Sequence, residues 1–357
     1  MTNTKSKVVF LTGASGFIGR RVLAMLLSEG HSVIAPSRSA AGRRQLDKAG
    51  ARSSSVSLSD QAGLLAALSA CDTVVHLAYD VRSDAASNLN AFSNLLEAAS
   101  ESGITSFVHM SSIVVFDDWP IGQIDANSPI TLGGSQYRRA KIEMEQLAFK
   151  QTVPVSILEP TLVYGPGSSL WTDRFAKALA TGGVFLPKDA GKPALVHVDD
   201  VVRAVLCAIR AELKVTRRYP IDGGGTESWM SYLSGMGDII GGAGVSIVAL
   251  EALRNRAGPR IGGIKSTGPS RAAQISALAR RVLGHQRFES IVDRVRRMSG
   301  RGKDPLYPDH ALLDLYVTDS KISTDAAKTD LGWTPQVDLT SALDQMTPYL
   351  RKFSEKG

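Results

Sequence analysis

Along the first half of the chain, short apolar runs alternate with segments whose apolar residues recur at helical spacing. VVFLTG leads into a helical pattern reaching about Glu29, SVIAPS into one crossing Gly42 to Ala49, and ARSSSV into Gln61 to Ser69. DTVVHLA precedes a helix near Ala86 to Ser102, while SFVHMSS and VPVSILEP flank one around Tyr137 to Lys150. Nearly all-apolar strands are buried on both faces, and the helices between them are the crossovers of a parallel sheet. The pattern predicts an α/β chain built on a Rossmann-type doubly wound parallel sheet, with VPVSILEP as its sixth strand.

Beyond Gly165 the rhythm is irregular, through WTDRFAKAL, ALVHVDDVVRAVLCAI, RRYPIDGG and a terminal helix SALDQMTPYLRKF. We expect an NAD(P)-binding domain over 1–165, to which some later segments return. A smaller substrate-binding lobe is expected over 166–357, set at the carboxyl ends of the strands, where open α/β sheets bind ligands. The chain shows no internal repeat and no low-complexity tract; GGAG and IGG mark loops.

Length and composition change this picture little. With 357 residues and 43% hydrophobic positions, the chain suffices for one large or two moderate domains. It has no apolar run of transmembrane length and no signal-peptide block after MTNTKSK, so a soluble cytoplasmic protein is expected. Cys71 and Cys207 stand far apart without a CxxC or Cys/His cluster, which predicts neither a disulfide nor a metal site, only small buried apolar residues.

The net charge of +7 is unevenly spread: between Glu251 and Lys303 there are 13 Lys or Arg against 3 Asp or Glu. Basicity therefore belongs to a helical insertion at about 251–316. Within it Ile275, Leu278, Val282, Phe288, Ile291, Val292 and Val295 fall at helical spacings with arginines between. Three readings stay open: peripheral contact with anionic lipid, a flap over the substrate, or helices packed on the small lobe with solvated arginines. Nucleic-acid binding is not expected, because no reader motif is present and the charge sits on one appendage.

Candidate chemistry begins in VFLTGASGFIGRRV. After the first strand, Gly13 permits a tight turn, Gly16 lets backbone approach a pyrophosphate, and Gly19 lets the new helix pack closely. Ser15, Phe17 and Ile18 complete the turn, whose open N–H groups and helix dipole favour phosphate. At the end of the second strand, APSRSAAGRR has Ser37 and Arg38 with no acid before Asp47. An acid there would bond the ribose 2′-OH of NAD, whereas Arg accommodates the 2′-phosphate of NADP. NADP is thus favoured over NAD, the alternative being that Arg38, Arg43 and Arg44 are a solvated helix start.

GSQYRRAKIEMEQL places Tyr137 and Lys141 one helical turn apart on one face. A phenol with an ordinary pKa of about 10 becomes a usable acid/base near neutrality when an ammonium beside it favours the phenolate. Such pairs also arise by chance. Upstream, however, the apolar run SFVHMSS ends in Ser111 and Ser112, hydroxyls at a strand's carboxyl end.

The spacing TGxxGxxG resembles that of the short-chain dehydrogenase/reductase superfamily, and TGASGFIG its extended branch, the NAD-dependent epimerases and dehydratases. EPTLVYGP resembles the family's RPxxVYGP, LVHVDDVVRAV its VHVDDVAxA, and SKISTDAAKTDLGWTP its closing segment. These matches span nearly the whole chain except about Glu251 to Tyr316. Aligned by Val115, Phe116 and Asp117, the resemblance implies Ser112 as the catalytic hydroxyl and Ser111 as a supporting neighbour. Tyr137 would exchange a proton with the substrate oxygen while Lys141 lowers its pKa and holds the nicotinamide ribose.

Leu77, Ala78 and Tyr79 would line the cofactor, with Leu58 beside the adenine in a stretch where Ser57 replaces the family's usual acid. Pro160, Thr161 and Val163 would lie near the nicotinamide, and Asn88 would support the site. Glu159 stands where Arg is frequent and reads as a strand-end surface acid. Asp199 is expected to cap a helix, and His197 to be a core or supporting residue rather than an acid/base.

The implied substrate is a nucleotide sugar, its diphosphate met by basic residues such as Arg174, Lys188 and Lys192. An NADPH-dependent reductase or dehydrogenase of a bulky ketone or alcohol, 3β-hydroxysteroid-like or flavanone-type, is the alternative. A cofactor-sensing regulator without turnover is a further class, disfavoured by the intact Ser112, Tyr137 and Lys141. The resemblance also implies a homodimer through the helices near 86–102 and 137–150.

Overall fold

A computed structural model describes residues 6–258 and 305–354. The basic stretch from Ile275 to Val295, with its lipid, flap and packing alternatives, lies outside the described residues. The chain divides into two compact units, one comprising Met1–Trp171, Pro193–Thr226 and Thr318–Ala342, the other Thr172–Lys192, Glu227–Val317 and Leu343–Gly357.

The chain begins β1 (Val8–Thr12), α1 (Gly19–Ser28), β2 (Ser32–Pro36), α2 (Ala40–Lys48), β3 (Arg52–Ser54), α3 (Gln61–Leu68), β4 (Thr73–His76) and α4 (Ala85–Glu101). It continues with β5 (Ser106–Met110), β6 (Gly122–Ile124), α5 (Gln136–Ala148), β7 (Val155–Pro160), β8 (Leu162–Tyr164), α6 (Arg174–Thr181), β9 (Val184–Pro187) and β10 (Leu195–His197). Then follow α7 (Val198–Ala211), β11 (Arg217–Ile221), α8 (Trp229–Ile240) and β12 (Val245–Val248).

Seven strands of the first unit form one parallel sheet in the order β11-β7-β5-β4-β1-β2-β3, the doubly wound arrangement that the alternation predicts. Val9 and Leu11 pack with Val22 and Leu26 of α1 and Val201 and Val205 of α7. Phe10, on the opposite face, packs with Phe92 and Leu95 of α4 and Met144 of α5. Burial on both faces is why these strands read as continuous apolar runs. The strand order reverses between β1 and β4, and this switch point is where such sheets bind ligands.

The segment Thr318–Ala342 returns to the same unit. A strand, Ser320–Ile322, pairs in parallel with β6. Asp200 is fully buried; its carboxylate accepts from Gln336 N at 3.0 Å and Val337 N at 3.1 Å, while Trp333 Nε1 donates to its carbonyl at 3.0 Å. The sequence expectation of Asp199 as helix cap is corrected here. β10 runs straight into α7, so His197 occupies the cap and its Nδ1 accepts from Asp199 N at 3.4 Å.

In the second unit α6 packs on α8, β9 pairs with β12, and Trp229, Tyr232 and Tyr316 are buried together, with Trp229 and Tyr316 ring centroids 4.9 Å apart. Cys71 and Cys207 are unbridged but only half-buried, less enclosed than their composition-based reading. Among the described residues no helix is long and apolar enough to cross a membrane.

Removing a buried acceptor leaves its donors unsatisfied, so Asp200→Ala is expected to cost about 2–3 kcal/mol. Thermal denaturation would show a clearly lowered midpoint. An unchanged midpoint would mean that Asp200 does not hold the Gln336–Val337 segment.

Candidate functional site

The turn after β1 has the shape its glycines anticipate. Gly13 sits at φ +71°, and a Cβ there would lie 2.9 Å from Ala78 N and Leu77 C at the end of β4. A Cβ on Gly19 would come within 2.0 Å of the Gly13 carbonyl oxygen. Both positions require glycine because backbone meets backbone. Side chains of Ser39, Asp60, Asp84 and Ser135 cap α2 to α5, but none caps α1, whose N-cap is Ile18. An uncapped N-terminus beside exposed Ser15 and Gly16, with Phe17 completing the turn, fits the diphosphate of a dinucleotide.

Around this turn, Ala78 N donates to Thr12 Oγ1 at 3.3 Å, and Leu77 packs on the core beneath. Arg38 follows β2, and its Nη1 lies 2.8 Å from Asp80 Oδ2. Partial burial works to raise Asp80, but hydrogen bonds from Arg82 and then Arg38 outweigh it and hold the carboxyl at about 2. Asn88 fixes this loop: its Oδ1 accepts from Asp80 N at 2.8 Å and its Nδ2 donates to the Asp80 and Asp84 carbonyls at 3.0 Å. Leu58 packs with the α3–α4 core, and Ser57 and Ser59 hydroxyls bond at 2.8 Å. Asp80 was not legible in the sequence, since only the fold brings the β4 loop to Arg38.

The catalytic candidates meet at the end of β5. Ser135 caps α5 by accepting from Arg138 N at 3.2 Å, which sets Tyr137 in the first turn. Ser112 Oγ, at the end of β5, accepts from Val114 N at 3.5 Å, and the rings of Tyr137 and Tyr79 meet edge to face at 5.0 Å. One turn on, Lys141 is only 3% exposed; its Nζ donates to Met110 O at 2.7 Å and lies 5.1 Å from the Tyr79 ring centroid. Burial lowers Lys141 to about 8 against the opposing pull of Glu145.

The lowering of the Tyr137 phenol expected from Lys141 is not found in the chain by itself. Although the residue is 38% exposed, packing around its phenol pushes it up to about 12. The ammonium is directed at the Met110 carbonyl, and its Nζ stands 5.8 Å from the Tyr137 ring centroid.

Beneath this layer is a polar interior that sequence reasoning missed. Ser111 Oγ donates to buried Glu145, one further helical turn beyond Lys141. Glu159 is corrected: it is no surface acid but 0% exposed on β7, held between β5 and β11, and both burial and Glu145 drive its carboxyl upward. A charge inside the otherwise buried run VPVSILEP was the signal available for it. His76 accepts from or donates to Thr12 Oγ1 at 2.8 Å and stacks on His109; burial lowers both imidazoles.

Pro160 closes β7, Val163 lies on β8 beside β10, and Thr161 Oγ1 donates to Asp222 at 3.0 Å. His197 is buried against Tyr164 as a helix cap. Arg174, Lys188 and Lys192 belong to the second unit, apart from the unit that carries every other candidate.

The chain matches the NAD dependent epimerase/dehydratase family over residues 9–221 and belongs to it. Among curated proteins it is 35% identical over 116 residues to a decarboxylating sterol-4-alpha-carboxylate 3-dehydrogenase of Dictyostelium discoideum, covering 30% of this chain and 35% of that one. It is 26% identical over 212 residues to a 4-hydroxy-2-methyl-3-oxo-4-farnesyl-3,4-dihydroquinoline-1-oxide ketoreductase of Stigmatella aurantiaca, covering 56% and 63%. The chain thus spans about a third and under two thirds of these relatives.

Among solved structures it resembles UDP-N-acetylglucosamine 4-epimerase from Bacillus cereus, with TM-score 0.66, 17% identity, and 97% and 100% of the two chains covered. It also resembles the Bordetella bronchiseptica enzyme WbmG in complex with NAD and UDP, with TM-score 0.68, 18% identity and 99% and 97% covered. At such identities the likeness is one of fold.

Gly19→Ala would push the start of α1 off the turn. It is expected to cost about 1–3 kcal/mol and to remove the rise in thermal midpoint that NAD or NADPH gives the unaltered chain. An alanine variant that cofactor stabilises as well as it does the parent would refute the proposed phosphate cradle.

Proposed function

We propose that this chain exchanges a hydride between a nicotinamide dinucleotide and a secondary alcohol or ketone, with Tyr137 as the acid/base. The observation that carries the reading is Tyr137 set one helical turn before buried Lys141, whose Nζ donates to Met110 O at the end of β5, next to Ser112 and in the unit that holds the glycine turn. The bound dinucleotide supplies or accepts the hydride. Tyr137 gives the substrate oxygen a proton or takes one from it. Ser112 hydrogen-bonds the same oxygen, and Lys141 offers the cofactor ribose a desolvated positive charge.

Exposed apolar side chains near the tyrosines in sequence favour a bulky, apolar ketone as substrate. Val81, two residues beyond Tyr79, and Leu132, five before Tyr137, are 83% and 62% exposed apolar side chains. The curated relatives, a dehydrogenase and a ketoreductase, carry names of the same kind.

A nucleotide sugar is the second reading. It draws on Arg174, Lys188 and Lys192 of the second unit as diphosphate partners, and on the UDP-sugar chemistry in the names of the fold neighbours. Arg38 favours NADPH in either case, its guanidinium passing from Asp80 to the 2′-phosphate.

Purified chain would be incubated with NADPH or NADH and a panel of sterol-like ketones, aromatic ketones and UDP-, GDP- and dTDP-sugars. Stoichiometric NADPH oxidation on a ketone is the expected outcome. Sugar conversion without net oxidation would replace this substrate class, and a preference for NADH would remove the role given to Arg38. On an active substrate, Tyr137→Phe is expected to lower kcat about a thousandfold while leaving cofactor affinity within about threefold. Reduction should slow, and the reverse oxidation quicken, as pH rises. An unchanged kcat would sink the mechanism.

A further inference from the structure

The loop that joins Ser112 to Tyr137 along the chain is closed at its base by a buried guanidinium that the proposed reaction leaves without a task. Arg138, next after Tyr137 on α5, is only 6% exposed. Its Nη2 donates to Phe116 O at 2.9 Å and to Thr131 O at 3.2 Å, and its Nη1 lies 3.6 Å from Asp117 Oδ1. Beside it, Asp118 Oδ2 accepts from Ser135 N at 2.9 Å and Asp118 Oδ1 from Ser135 Oγ at 2.6 Å. Gly134 leaves room for this meeting, since a Cβ there would lie 2.8 Å from Arg138 Cδ. The outgoing leg at 116–118 is thus bound to the returning leg at 131–135 and to the first turn of α5.

Both legs lead to groups that the reaction uses. Phe116 closes the single 3₁₀ turn Ile113–Val115, which Ser112 caps. Phe116 is buried with Val115 and with Ile142 of α5, and Ile124 and Ile130 of the loop pack against this small core. The middle of the loop has its own anchors, since β6 pairs with Ser320–Ile322 and Arg218 Nη2 donates to Ser128 O at 3.3 Å. Beyond Ile130 the chain turns outward, and Leu132, one residue past the carbonyl that Arg138 grips, is 62% exposed.

A buried charge opposes folding unless it is fully paired, and Arg138 Nε has no acceptor. An apolar side chain of similar length would fill the same place. It could not bind carbonyl oxygens from two legs of one loop at once, which takes the forked donors of a guanidinium.

We propose that Arg138 is a positioning residue, which fixes Ser112 and Leu132 relative to Tyr137 by tying both legs of the 116–135 loop to the start of α5. Through Phe116 it holds the end of β5, and with it Ser112, at a set distance from the phenol. Through Thr131 it holds Leu132 as a wall for the apolar part of a ketone. The tasks given to Ser112 and Leu132 rest on the proposed ketone reduction, but closure of the loop can be read without cofactor or substrate.

Hydrogen–deuterium exchange of the full chain is expected to show the amides of 131–135 exchanging about tenfold faster in Arg138→Met than in the parent, with those of β4 and α4 unchanged. Exchange unaltered at 131–135, or quickened alike throughout the sheet, would overturn the proposal. The second readout is the division between kcat and KM on a bulky and a small ketone with NADPH. Arg138→Met is expected to lower kcat about tenfold on both. It should raise KM about fivefold on the bulky ketone alone, while NADPH affinity stays within about threefold.

Arg138→Lys, whose ammonium can reach one of the two carbonyls, is expected to fall between the methionine variant and the parent. If KM on the bulky ketone does not move, or the lysine variant is no better than methionine, Arg138 is only structural. Should Arg138→Met not fold, Asp118→Ala removes the acceptor of Ser135 N and Oγ and is expected to quicken the same amides and raise the same KM. If it moves neither, the arrangement is equally refuted. If exchange quickens where expected but the parent turns over no ketone, the reaction reading fails while this one stands.

Discussion

The hydrogen bond from Lys141 Nζ to the Met110 carbonyl, 2.7 Å long and almost wholly buried, is the interaction around which the candidate site is built. It puts a cation at the carboxyl end of the central strand β5, where desolvation makes its charge costly and its surroundings decisive. The same contact fixes the rotation of α5, and with it the placing of Tyr137 one turn earlier and Glu145 one turn later. Tyr79 from the β4 loop and Ser112 from the end of β5 complete the ring around it. Stability and chemistry therefore pull on the same residues, since a group that keeps the ammonium tolerable also determines what it can do.

Conformational constraint serves the other half of the site. Backbone against backbone at Gly13, Gly19 and Ala78 leaves no room for a side chain, and the helix that starts there has no cap of its own. The first unit thus offers an anion-ready turn and a buried cation, both borne by the sheet whose order reverses between β1 and β4. Family membership accords with this division of labour. In our reading the nucleotide sugar that the resemblance put first gives way to a bulky ketone because of the exposed apolar side chains Val81 and Leu132.

Much of this was legible in the sequence where the signal was local. The core strands were readable because burial on both faces turns them into unbroken apolar runs, and the glycine turn and the Tyr137, Lys141 pair because their spacing is short. What sequence reading missed depends on contacts between distant segments. Asp80 meets Arg38 only once β4 lies beside β1, and Ser111 meets Glu145 only once α5 lies against the end of β5. His197 displaced Asp199 as the cap because β10 passes into α7 without a connecting residue, a detail of geometry that the motif does not carry. The raised Tyr137 phenol likewise follows from the burial around it, which spacing along the helix does not carry.

The central claim is that a desolvated ammonium at the end of β5 organises the site. It is tested most directly by following the Lys141 ζ nitrogen through a pH titration by 15N NMR in the intact chain. The account predicts a midpoint near 8, well below that of an ordinary lysine. Titration at the ordinary value of about 10.4 would mean that Lys141 is open to solvent, and would contradict the account.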